Sequence, residues 1–141
     1  MDRLSILNKC TQSGHQLTPQ RQIIIDEFLK KNSGFTAYGL LEIINLNDKS
    51  LNISTIYRIL DFWVKLGVLH KVESNSTYVL CNDEHENHNH VLLLCTKCSK
   101  VNESCSISRE FLSKSFPNFF IKSNQVIELK GICSDCAQIN L

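Results

Sequence analysis

Apolar positions recur with a helical period through the first half of the chain and gather into short runs in the second, so helices are expected first and strands afterwards. Residues 2–14 read as a weak helix, with Leu4, Ile6 and Leu7 on one side and Gly14 as its stop. Thr18-Pro19 opens a stronger one: Thr is a favoured N-cap, Pro suits the first helical position, and Ile24, Ile25, Phe28 and Leu29 form an apolar stripe. Thr36 caps a third helix that buries Ala37, Leu40, Leu41 and Ile44, and the polar stretch 45–52 closes it. The fourth pattern is the clearest. With Ser54 as cap, Ile56, Ile59, Leu60, Trp63 and Val64 fall at i, i+3, i+4, i+7 and i+8, and Gly67 ends the helix. Its outer side carries Thr55, Tyr57, Arg58, Asp61 and Lys65.

Past Gly67, residues 68–73 and 77–81 flank a polar Ser74-Asn75-Ser76 tip and read as a β-hairpin. Three helices, an amphipathic fourth and a hairpin follow the order of a winged helix-turn-helix. The polar, acidic, His-rich stretch 82–89 reads as a linker or a metal-bearing hinge, and 91–94 as a buried strand. Residues 106–116 suggest a helix broken by Pro117-Asn118, and 119–130 one or two strands. The expected fold is therefore α+β: a winged helix-turn-helix over 1–81, a hinge over 82–90 and a small α/β unit over 91–141.

Neither half of a 141-residue chain has a large core, so a staple is expected. With 43% apolar and 21% charged residues, extensive disorder is not expected. No run is long enough to cross a bilayer, and the polar start does not resemble a signal peptide; a cytoplasmic protein is expected. Net charge is +1, divided as +2 over 1–81 and −1 over the remainder. Bulk charge therefore does not draw nucleic acid, and any DNA contact must come from placed side chains, doubled in a dimer.

Seven cysteines, an odd number with two Cys-x-x-Cys pairs, favour reduced thiols that bind metal over a disulfide framework. Cys95, Cys98, Cys133 and Cys136 can close a tetrahedral zinc site, which is structural because no ligand position stays open. If the hairpin closes on Asn75-Ser76, His70 lies directly across from Cys81, with Cβ atoms about 4.5–5.5 Å apart. A hinge that folds back would add His88 and Glu103, completing a set whose thiolate favours zinc over ferrous iron. His85 and His90 are solvated residues, or one of them replaces His88, with His90 as the alternative ligand. On the fourth helix, Arg58 suits a bidentate contact to guanine and Tyr57 a thymine methyl or phosphate. Lys71 lies on the hairpin, and Arg21 and Lys65 are candidate phosphate contacts. Cys10 and Cys105 have no assigned partner. The His-x-Glu and Pro-Cys-x-x-Cys pairing of zinc deaminases is absent, since Leu94 and Ile132 precede the knuckles, so no enzyme is expected.

Leu17-Thr18-Pro19-Gln20-Arg21, Ser54-Thr55-Ile56-Tyr57-Arg58 and the two knuckles together resemble the ferric-uptake-regulator family. His70-Lys71-Val72-Glu73-Ser74 followed by Tyr78-Val79-Leu80-Cys81 resembles the wing of its zinc-uptake-regulator branch. The resemblance implies a homodimeric repressor that binds palindromic operator DNA when a sensing zinc is bound and controls zinc-uptake genes. It implies two zinc ions per subunit, one structural on Cys95, Cys98, Cys133 and Cys136, one sensing on His70, Cys81, His88 and Glu103. It further implies DNA contacts by Tyr57 and Arg58, joined here by Thr55, Arg21 and Lys71, and neither membrane nor small-molecule substrate. The alternative within the family is an iron- or peroxide-responsive repressor. Asn124 stands where many relatives have a metal-binding His, so a third metal site is not expected.

Overall fold

The computed structural model describes residues 2–31, 34–47, 50–81, 89–104, 107, 109–122 and 125–138, without the side chain of residue 109. The chain divides into two compact units, Met1–Cys81 and Asn82–Leu141. In the first, α1 (Arg3–Gln12), α2 (Pro19–Lys30), β1 (Phe35–Thr36), α3 (Ala37–Leu46) and α4 (Ile53–Lys65) precede a hairpin of β2 (Leu69–Val72) and β3 (Thr77–Leu80). The three strands form an antiparallel sheet in the order β1-β3-β2, the winged-helix arrangement.

The helices start where their caps dictate. Asp2, Thr18, Thr36 and Asn52 each accept a backbone N–H from the residue three places on. For α4 the cap is Asn52, not Ser54: the Asn52 Oδ1 receives the Thr55 N–H at 2.8 Å, which starts the helix earlier than expected and leaves Ser54 inside it. Gly14 (φ +73°) and Gly67 (φ +79°) end α1 and α4 in the left-handed region. At α4 the Val68 N–H bonds the Trp63 carbonyl and the Gly67 N–H the Val64 carbonyl, both at 3.0 Å, a Schellman closure.

Ile24, Ile25, Phe28, Leu40, Ile44, Ile56, Leu60 and Trp63 are buried together, as their periodicity requires. Each side chain of this size stabilises the fold by about 1.5–3 kcal/mol when fully buried. On α1 the buried residues are Ile6 and Cys10, whereas Leu4 is 66% exposed. The expected stripe was misplaced because a ten-residue helix with few apolar positions leaves its inner face underdetermined.

The hairpin register also differs from the expected one. Leu69 pairs with Leu80, His70 with Val79, Lys71 with Tyr78 and Val72 with Thr77, so the connection spans residues 73–76 rather than two. Ser76 takes a left-handed φ of 54° and the Asn75 Oδ1 accepts the Thr77 N–H at 3.1 Å, which stabilises the longer loop. A shift of two positions preserves the face on which each side chain lies.

The second unit holds β4 (His90–Cys95), β5 (Val101–Ser104), α5 (Arg109–Ser115), β6 (Val126–Gly131) and α6 (Ser134–Gln138). Its sheet has the order β5-β4-β6, with β4 antiparallel to β5 and parallel to β6. The parallel pairing needs the long crossover that contains α5. Among the described residues of the expected 119–130 strand region, only β6 is a strand, while β1, β5 and α6 are too short for a readable period. Phe111, Phe116, Phe119, Phe120, Leu129 and Ile132 are exposed, so this unit has a thin core.

Candidate metal centres and reading face

Cys95 ends β4, Cys98 follows it in a tight turn, and Cys133 and Cys136 flank the start of α6. The ligand atoms of all four lie within 4.8 Å of one another. The Cys98 and Cys133 sulfurs are 3.8 Å apart, far beyond a disulfide bond. That separation matches the edge of a zinc tetrathiolate, about 3.8 Å for Zn–S bonds of about 2.3 Å. The Cys133 N–H donates to the Cys95 sulfur at 3.3 Å. This and the Cys98 backbone N–H lower the Cys95 thiol to about 6. The neighbouring sulfurs of Cys133 and Cys98 push Cys136 up to about 12. Four crowded sulfurs thus hold negative charge unequally, and a divalent cation among them would deprotonate all four.

In the first unit, His70 lies on β2 and Cys81 just past β3. Since His70 pairs with Val79, Cys81 is its diagonal neighbour on the same face. The Cys81 N–H bonds the Val68 carbonyl at 2.8 Å, which carries the antiparallel pairing one step beyond β3. A ring nitrogen of His70 and the Cys81 sulfur lie within 4.8 Å, and both residues are buried. Zinc takes nitrogen at about 2.0–2.1 Å and sulfur at about 2.3 Å, so this pair would supply two of its ligands.

In the second unit, the His90 Nδ1 stands 2.6 Å from the Glu103 Oε1. Leu92 pairs with Glu103 across β4 and β5, so His90 and Glu103 share a face diagonally. The strand start is held at Gln125, whose carbonyl accepts the His90 N–H at 2.8 Å and whose N–H donates to the Asn89 Oδ1 at 3.0 Å. His85 and His88 fall in 82–88, and with Cys105 and Asn124 they lie outside the described residues. Cys10 is buried in the core and its thiol lies 3.6 Å from the His15 carbonyl.

The outer side of α4 presents Tyr57, Arg58, Asp61 and Lys65 to solvent, with Thr55 half-buried. Tyr38, near the start of α3, was not singled out by the sequence pattern; it is 64% exposed and its ring stands edge-on to Tyr57, centroids 6.5 Å apart. An aromatic at the second position of a capped helix was the available signal. Lys71 on β2 stands 3.6 Å from Glu73 beside the hairpin tip. Arg21 stacks over the Phe62 ring at 3.7 Å and its Nη1 donates to the Gln16 carbonyl at 2.6 Å.

The zinc uptake regulation protein of Escherichia coli K12 is 31% identical over 134 residues, covering 92% of this chain and 78% of that protein. A zinc uptake regulator solved in complex with zinc and DNA matches with a TM-score of 0.78 at 31% identity, over 93% of this chain and 89% of that one. The structure of holo XcZur matches with a TM-score of 0.76 at 27% identity, over 93% of each chain. The profile of the ferric uptake regulator family matches residues 12–127, and the chain belongs to that family.

Proposed function

We propose that this protein is a zinc-responsive transcriptional repressor that binds palindromic operator DNA as a homodimer when a sensing zinc site is filled, and so controls zinc-uptake genes. The observation that carries the reading is the Cys81 sulfur near the His70 imidazole, a set whose thiolate favours zinc over ferrous iron. The similarity to zinc uptake regulators at 31% identity supports the same signal. As a member of a regulator family the chain is not an enzyme. No described helix is long and apolar enough to cross a membrane, which accords with a cytoplasmic site of action.

In this reading residues 1–81 read DNA, 82–90 are the hinge and 91–141 dimerise. The exposed Phe111, Phe116, Phe119 and Phe120 support a self-association surface. Cys95, Cys98, Cys133 and Cys136 hold the structural zinc. His70 and Cys81 from one unit, with His90 and Glu103 from the other, hold the sensing zinc; the contact with Glu103 favours His90 over His88. Ligands drawn from both units bind metal best in one relative orientation, and that orientation spaces two copies of α4 for successive major grooves. Metal and DNA then strengthen each other equally. Arg58 and Tyr57 address bases, Thr55 and Lys71 complete the face, and Tyr38 extends it. Arg21 belongs to the DNA-binding set through the family motif, and its stacking on Phe62 of α4 supports an indirect role there.

Metal analysis before and after a mild chelator, paired with DNA binding, tests the reading. The expected outcome is one tightly held and one exchangeable zinc per subunit, with DNA affinity following only the second. DNA binding that responds to iron and ignores zinc would favour the iron or peroxide alternative.

A further inference from the structure

Two consecutive residues of α4 are gripped by a single residue of α2. The Arg21 guanidinium lies 3.7 Å over the Phe62 ring, while the Arg21 carbonyl accepts the Trp63 indole N–H at 3.3 Å. The guanidinium is itself oriented by the Gln16 carbonyl, 2.6 Å from Nη1. His15 meets Phe62 edge-on at 5.2 Å, and Phe62 packs against the Trp63 ring at 4.9 Å. Phe62 is one helical turn from Arg58 on the same face, so whatever fixes the Phe62 ring fixes the azimuth of Arg58. Thr18 caps α2, Pro19 starts it and Arg21 clamps α4, which gives each named residue of the Thr-Pro-x-Arg segment a structural task.

We infer that Arg21 is a positioning residue for sequence reading: it sets the rotation and depth of α4 through Phe62 and Trp63, and acts on DNA through Arg58 and Tyr57 instead of through a phosphate. The inference rests on the reading of α4 as the DNA-contacting helix. Stacking requires the planar, delocalised guanidinium, which a lysine ammonium does not reproduce, whereas a phosphate contact tolerates the exchange.

The experiment uses the full zinc-loaded protein with two probes: a duplex selected by the unaltered protein from a randomised pool, and a mixed-sequence duplex of equal length. Affinities are measured across a salt series for Arg21→Lys, Arg21→Gln and Phe62→Leu, with the emission of Trp63, the single tryptophan, as a second readout. All three variants are expected to lose about tenfold in preference for the selected duplex, the scale of one partly desolvated cation–π contact, with the salt slope unchanged and the Trp63 emission shifted. Phe62→Leu leaves Arg21 in place and keeps the test decisive if an Arg21 variant fails to fold. The inference is overturned if Arg21→Gln weakens both duplexes equally and lowers the slope by about 2, one phosphate contact per subunit, while Arg21→Lys restores both. Unchanged preference and emission in the variants would also overturn it. If the unaltered protein selects no sequence, the repressor reading fails instead, and the Trp63 emission alone decides whether Arg21 holds α4.

Discussion

Cys81 lies two residues beyond the strand partner of His70, so the two meet diagonally across an antiparallel pair. His90 and Glu103 repeat the relationship in the second unit, at 2.6 Å. Each pair joins one imidazole to one group that becomes an anion, on a scaffold whose register the backbone fixes. Cys81→Ser is expected to weaken the exchangeable zinc by more than about 100-fold, beyond the effect of altering an outer-shell partner, while the four-cysteine zinc and the dimer persist. Competition with a chromophoric chelator measures it; Cys10→Ser, which alters a core thiol, serves as the control. Unaltered zinc affinity in Cys81→Ser would remove Cys81 from the site.

Loss of a knuckle should be structural and confined. Cys133→Ser is expected to abolish tight zinc retention and hydrogen-exchange protection of β4 and β6, leaving that of α2 and α4 in place. Structural zinc sites contribute about 10–16 kcal/mol of apparent binding energy at neutral pH, more than the core of a small unit supplies. Protection of β4 in the metal-free variant would show that the thin core suffices.

The cap of α4 gives a test on stability. Asn52→Ala should cost about 1 kcal/mol in urea unfolding, because the Thr55 N–H loses its acceptor, while Ser54→Ala should stay within about 0.5 kcal/mol. The reverse ranking would return the cap to Ser54.

Tyr78 links stability to alkaline pH. Burial raises its phenol above the ordinary value near 10, with the charge of Lys71 opposing the shift. A raised phenol means that the folded state keeps its proton longer than the unfolded chain does. The contribution is therefore complete below about pH 10 and is lost as pH rises from there through the folded value. Between about pH 9 and about pH 11 the unaltered protein should lose more stability than Tyr78→Phe, which keeps the ring. Equal losses in denaturant titrations would show that the phenol is not the group responsible.

Much of this was legible in the sequence because the first unit repeats strong local signals. The α4 stripe, the Thr18-Pro19 start and both glycine stops are properties of neighbouring residues, and they survived folding unchanged. The hairpin register was not legible in that way: a polar tip admits both two- and four-residue connections, and Ser76 in a left-handed conformation decided between them. The pairing of His70 with the Cys81 face nevertheless held, since the displacement was even. Arg21 shows the opposite limit. Its charge suggests a phosphate partner, and the ring it stacks on is 41 residues away in sequence, a contact that no local pattern announces.

The Schellman closure at Gly67 leads α4 directly into the wing. The Trp63 carbonyl accepts the Val68 N–H, and the Val68 carbonyl accepts the Cys81 N–H, so two backbone hydrogen bonds join the helix end to the Cys81 backbone. No slack loop intervenes at that junction. In the proposed reading, a metal held at Cys81 would bear on a segment that these two bonds tie to the end of the helix carrying Arg58.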